Sequence, residues 1–349
     1  MRHPDAYLDQ LYDELEAARR EQAESSWEAR RARLLGGLQK ALGRFELTHR
    51  GAEGLDPVLL ERAELPEAIR ERVEFTTLDG LRMPAYVMIP KSIRPGEKRP
   101  AVLLWHGHGY GNRSLVGLDK NGHEKPDTGR LSDNLAYALA KRGLVVLAPE
   151  IVGFGDRRLA RDLQKDPNID NSCYNLSVSL MMTGRTTAGL RAAEALRAAD
   201  YLVSRPEVDG SRLGNMGHSG GGMVASLSAA LDPRIQASVV AIYPNTYRGS
   251  ILAMRHCLCN YIPGILTQAE MPDLLALIAP RPLFIEAGLS DPIFPIETTR
   301  VAIDAVRAVY EGYGAQDRFS SHLFDGGHEF GGPESMDWLA QQLGVQLGG

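Results

Sequence analysis

Asn215-Met216-Gly217-His218-Ser219-Gly220-Gly221-Gly222 is the stretch on which the fold turns. It contains Gly-x-Ser-x-Gly, preceded by a strand-like segment at residues 212–216 and followed by a helical pattern at 220–231. A serine between a strand and a helix sits on a tight turn that demands neighbours without a Cβ, and its Oγ is presented at the sheet edge. The helix that begins behind it places a partial positive charge beside any oxyanion formed there. The strand–turn–helix context separates this match from a chance occurrence in a glycine-rich chain. Ser219 is therefore the candidate nucleophile.

A serine hydroxyl needs a base, and the base needs an orienting group. Phe324-Asp325-Gly326-Gly327-His328-Glu329-Phe330 places His328 in a glycine-rich loop directly after the last expected strand. Gly288-Leu289-Ser290-Asp291-Pro292 follows the run Leu283-Phe284-Ile285-Glu286-Ala287, so Asp291 stands at a strand's carboxyl end. Glu286 lies within that strand and Asp325 is too near His328 in sequence, which leaves Asp291 as the preferred acid. Acyl transfer also needs two N–H donors for the developing oxyanion. Gly220 follows the nucleophile and supplies one through its backbone. The second is sought in His106-Gly107-His108-Gly109-Tyr110-Gly111, which follows the apolar run at 101–105.

Around these segments strand and helix patterns alternate. Strand-like runs occupy residues 101–105, 144–148, 212–216, 237–242, 282–287 and 319–324. Helical periodicity marks 131–142, 187–204, 220–231 and 296–313. Ahead of them, β-rich segments at 73–78 and 81–89 flank Asp79-Gly80, a hairpin signal. This order predicts a mostly parallel sheet with helices on both faces. Three connections, at 106–130, 149–186 and 244–280, exceed ordinary turns, and each follows a strand. They should gather at the carboxyl edge, where open α/β sheets place their ligand crevice. Residues 5–45 read as helical, with Leu8, Leu11, Tyr12 and Leu15 recurring at helical spacing. The organisation expected is a helical extension over 1–65 and a catalytic domain over 66–349, in which 244–280 forms an insertion walling the site. The stretch around 171–185 is expected to join it in that wall.

Composition narrows the partners. The chain of 349 residues carries 39 Lys+Arg against 44 Asp+Glu, a net charge of −5, which argues against nucleic acid. The strongest apolar runs fall far short of a membrane span. Three cysteines cannot build a disulfide framework, and no apolar secretory segment follows Met1, so a cytoplasmic protein is expected. His106-x-His108 and His256-Cys257-Leu258-Cys259 invite a metal reading. Their partners would have to converge from afar, and the second motif reads more simply as part of a partly buried insertion helix. No metal or organic cofactor is expected.

The order Ser219, Asp291, His328, with separations of 72 and 37 residues, matches the α/β-hydrolases. From about residue 71 onward the chain resembles the dienelactone-hydrolase-like and acetyl-xylan-esterase-like branch. The stretches Asp200 to Asp209 and Ala279-Pro280-Arg281-Pro282-Leu283 carry that likeness. The resemblance implies a serine carboxylic-ester hydrolase working through an acyl-enzyme on short-acyl, acetyl-type esters. It places the second oxyanion N–H on His108, with Tyr110 as the alternative. There are departures. Dienelactone hydrolases carry cysteine where this chain has Ser219, and glucuronoyl esterases carry arginine where it has Gly220. The glutamine and Arg-Gly-Gln stretch of cephalosporin-deacetylase-type xylan esterases are missing too. An amidase, thioesterase or small peptidase would use the same triad, and a non-catalytic binding protein would normally lack one of its members. A small-molecule ester is the expected partner, with a homo-oligomer open.

Overall fold

The continuous apolar runs form the middle of a nine-stranded sheet because a strand covered on both faces has no solvent side on which to alternate. The computed structural model describes residues 3–22, 26–126 and 133–347. The strands are β1 (Val58–Glu64), β2 (Ala68–Thr76), β3 (Arg82–Pro90), β4 (Arg99–Trp105), β5 (Val145–Pro149), β6 (Val208–His218), β7 (Ile235–Ala241), β8 (Leu283–Gly288) and β9 (Phe319–Phe324). Their order in the sheet is β1-β2-β3-β5-β4-β6-β7-β8-β9. Pairings β1/β2, β2/β3 and β3/β5 are antiparallel, and every pairing from β5/β4 to β8/β9 is parallel. The Asp79-Gly80 turn joins β2 to β3 with Thr76 opposite Arg82, as the hairpin signal predicts. All residues of β5 and β8 are buried.

Nine helices of the described residues flank the sheet: α1 (Asp5–Glu21), α2 (Trp27–Leu42), α3 (Leu135–Lys141), α4 (Cys173–Met181), α5 (Thr187–Ser204), α6 (Gly220–Leu231), α7 (Met271–Ala276), α8 (Ile296–Gly312) and α9 (Glu334–Gln342). One apolar core takes side chains from α2, α5, α6, α7 and α8. The other, on the opposite face, takes Leu135, Leu139 and Ala140 of α3 and Met336, Leu339 and Ala340 of α9. This is the α/β-hydrolase architecture. Helix α5 matches its expected span; Thr186 caps it by accepting from the Gly189 N–H at 2.9 Å, and Pro206 follows its end.

The helical extension holds α1 and α2. Two local features differ from the sequence reading. Strand β1 lies inside the stretch expected to be helical; six of its seven residues are exposed, so no buried alternation marks it. The helix expected over 131–142 is α3, which begins at Leu135; residues 131 and 132 lie outside the described ones. None of the helices is long and apolar enough to cross a membrane, among the described residues.

Candidate active site

Ser219 sits between β6 and α6 with φ 53° and ψ −124°, a conformation few side-chain-bearing residues adopt. The neighbouring backbone is packed so closely that the glycines are obligatory. A Cβ on Gly217 would lie 2.2 Å from the Gly221 carbonyl oxygen, and one on Gly221 would lie 2.2 Å from that of Trp105. The glycine spacing thus lets α6 close onto β6 and β4 and forces the serine outward.

Asp291 follows β8 and is buried. Its Oδ1 accepts the backbone N–H groups of Ile293 at 2.8 Å and Phe294 at 3.1 Å. Its Oδ2 stands 2.8 Å from His328 Nδ1. Burial opposes its ionisation, but the hydrogen bonds from His328 and the two N–H groups prevail and hold the carboxyl below its ordinary value. His328, in the loop after β9, places Nε2 at 2.8 Å from Ser219 Oγ and stacks its ring on Phe294. The structure therefore brings Ser219, His328 and Asp291 into one continuous chain of hydrogen bonds. Glu286 lies on β8 and accepts instead from the Gly331 N–H, away from that chain.

The three side chains open on a cavity of about 620 Å³ at the carboxyl edge of the sheet. Gly107, His108 and Gly220 line it, as do Met254, Arg255 and Asn260 from the insertion. Residues 171–185, expected to share in the wall, do not line it; of these, Cys173 stands beside His108. The backbone N–H groups of Gly220 and His108 have no hydrogen-bond partner among the described residues. Tyr110 turns its hydroxyl away to the Leu118 carbonyl at 3.1 Å and does not line the cavity. His218, beside the nucleophile, is pushed down to about 4 by burial and by the neighbouring histidines. It is therefore neutral at ordinary pH, and its Nε2 accepts the Gly107 N–H at 3.1 Å, tying the loop after β4 to the serine turn.

One cluster of potential metal ligands adjoins the site. His108, Cys173, Cys257 and Cys259 direct one ligand atom each into a volume where all four lie within 4.8 Å of one another. The segment His256-Cys257-Leu258-Cys259 is not part of an insertion helix: Leu258–Asn260 forms a single 3₁₀ turn, and the two thiols converge with Cys173. The sequence signals were the two short His/Cys motifs. The missing partner, Cys173, lies 84 residues upstream of Cys257 and could not be paired with them by spacing.

A sequence model of the dienelactone hydrolase family matches residues 127–331, more than half of the chain. The chain belongs to the dienelactone hydrolase family. It is also similar to YtaP of Bacillus subtilis strain 168, assigned there as a hydrolase, with 30% identity over 282 residues, covering 78% of this chain and 87% of that protein. Among solved structures, this dienelactone hydrolase family member resembles a Bacteroides fragilis protein assigned as an acetyl xylan esterase. The TM-score is 0.69 at 19% identity, covering 84% of this chain and 74% of the other. A glucuronoyl esterase from Solibacter usitatus has a TM-score of 0.66 at 16% identity, covering 90% and 92%. At those identities the structures speak for the α/β-hydrolase fold. Sequence kinship makes this family member a hydrolase.

Proposed function

We propose that the protein is a serine carboxylic-ester hydrolase for small esters with short, acetyl-type acyl groups. The hydrogen-bonded chain Ser219 Oγ, His328 Nε2, His328 Nδ1 and Asp291 Oδ2 carries the reading. Ser219 Oγ attacks the ester carbonyl carbon while its proton passes to His328 Nε2. Asp291 fixes the ring and stabilises the imidazolium. The Gly220 and His108 N–H groups hold the oxyanion, aided by the N-terminus of α6. His328 then returns the proton to the leaving alcohol, leaving an acyl ester on Ser219. A water molecule, deprotonated by the same imidazole, hydrolyses that ester and releases the acid. No organic cofactor enters these steps.

The cavity wall mixes Arg255, His256 and Asn260 with Ile293, Phe294 and Phe330. That mixture suits a small acyl group on a polar alcohol better than a fatty chain. The test is twofold. An organophosphonate probe is expected to label the native protein at Ser219 and to leave Ser219→Ala unlabelled. Rates over acyl lengths, with thioester and anilide counterparts, are expected to peak at the acetyl ester. An intact protein that resists the probe, or one that turns over anilides or thioesters alone, refutes the assignment.

A further inference from the structure

We propose that His108, Cys173, Cys257 and Cys259 form a structural zinc site of the Cys₃His type, which clasps together the three long connections at the carboxyl edge of the sheet. Cys259 Sγ lies 3.5 Å from His108 Nε2 and 3.3 Å from Cys257 Sγ, and all four donor atoms fall within 4.8 Å of one another. A tetrahedral zinc ion with bonds of about 2.3 Å to sulfur and about 2.0–2.1 Å to nitrogen sets its ligand atoms roughly 3.5–3.8 Å apart. The cluster is already near that size. The sulfurs are too far apart for a disulfide, whose bond is about 2.05 Å, and all three cysteines are free. Three thiolates with one imidazole are borderline-soft donors, the set that zinc takes in closed sites.

A second observation points the same way. Arg191 of α5 is 2% exposed, and no carboxylate pairs with it among the described residues. Its Nη2 donates to Cys173 Sγ at 3.2 Å and to the Val152 carbonyl at 2.9 Å. Its Nε and Nη1 have no partner, and its guanidinium lies over Phe154. A buried cation beside three protonated thiols is uncompensated, which is costly. Three thiolates around Zn²⁺ carry a net charge of −1, and the guanidinium brings the cluster to neutrality. Its N–H to a ligating sulfur is the usual outer contact of such a site.

The topology explains what the ion would do. The connection after β4 supplies His108, that after β5 supplies Cys173, and that after β7 supplies Cys257 and Cys259. All four positions are filled by protein, so the ion is not itself a catalyst. The Nδ1 edge of the His108 ring lies against Gly220, where a Cβ would be 2.6 Å from it. Binding at Nε2 therefore locks the loop after β4 beside the serine turn, a consequence that rests on the proposed ester chemistry, whereas the metal site does not.

The experiment is metal analysis of the full chain purified from zinc-supplemented growth. About one zinc per chain is expected, in the wild type and equally in Ser219→Ala. Exchange for Co²⁺ should give the intense visible bands of a tetrahedral thiolate complex. Cys257→Ser, at the most accessible of the three cysteines, should lose at least ten-fold in zinc affinity and weaken those bands. Chelation should lower the melting temperature of both the wild type and Ser219→Ala. A wild-type protein with under a tenth of an equivalent of zinc and no cobalt–thiolate bands overturns the site, as does a Cys257→Ser variant with unchanged affinity. An unchanged melting temperature after the zinc is removed overturns its structural role. Failure of the ester assignment alone would leave the zinc content of Ser219→Ala untouched.

Discussion

Two acidic side chains at the end of β8 illustrate how environment separates catalytic placement from mere proximity. Asp291 accepts two backbone N–H groups and His328, and is held below its ordinary value. Asp291→Asn leaves the outline intact but favours the wrong imidazole tautomer. The expected result is a loss in kcat of about 10³–10⁴ with little change in KM, measured on the best short-acyl ester. Glu286 is fully buried, and burial raises it above the usual glutamate value although the Gly331 N–H partly offsets this. The folded chain thus holds a proton on Glu286 more readily than the unfolded chain does. Its contribution is fully present below the unfolded value and is lost as pH rises from that value through the folded one. Glu286→Gln keeps an acceptor for Gly331 and removes this dependence. Its melting temperature relative to wild type should climb as pH rises from 4 to 7, while kcat stays within about three-fold. A relative melting temperature that is flat or falls across that range would contradict the assignment.

The elements that hold the nucleophile are fastened from behind by residues that carry the family likeness without touching the cavity. Arg281, just before β8, donates to the carbonyls of Ala229 at 2.5 Å, Asp232 at 3.0 Å and Ile235 at 2.6 Å, closing the carboxyl end of α6. Asp200 of α5 accepts from Arg197 and Arg234, both at 2.6 Å. Arg281→Ala strands two carbonyls at the end of α6 and one at the start of β7. A stability loss of about 3 kcal/mol is expected in denaturant titration, with KM unchanged. The sequence made this framework legible wherever a residue's surroundings are local or fully buried. The apolar β4, β5 and β8, the span of α5 and the glycine turn at Ser219 are all read without a structure. Strand β1 is invisible because its residues Val58, Leu59 and Leu60 face solvent and carry no period. Ser219, Asp291 and His328 could be nominated because each follows a recognisable strand. The Cys173 partnership could not, because only the tertiary path of the connection after β5 brings that thiol to Cys257 and Cys259.

Taken as a whole, the molecule concentrates its irregular chain at one edge of the sheet, and the two N-terminal helices contribute to that edge unequally. Helix α2 inserts Leu34, Leu38 and Leu42 into the larger core, each no more than 1% exposed. Helix α1 buries no residue. It rests on the insertion through Tyr12 to Glu270 at 2.9 Å, through Arg19 to the Leu266 carbonyl, and through Arg248 to Asp9 and Asp13. The Arg248 pairs are exposed and the Tyr12 and Arg19 contacts half-buried, and such surface contacts contribute about 0–1 kcal/mol each, whereas truncating a buried leucine costs about 2–5 kcal/mol. Leu38→Ala should therefore lower the unfolding free energy by more than removal of the whole of α1 does. A chain beginning after Glu21 is expected to remain folded, with a loss of no more than about 2 kcal/mol in urea titration. Should that truncation prove as damaging as Leu38→Ala, α1 belongs to the folding core and its polar contacts with the insertion are far stronger than their exposure implies.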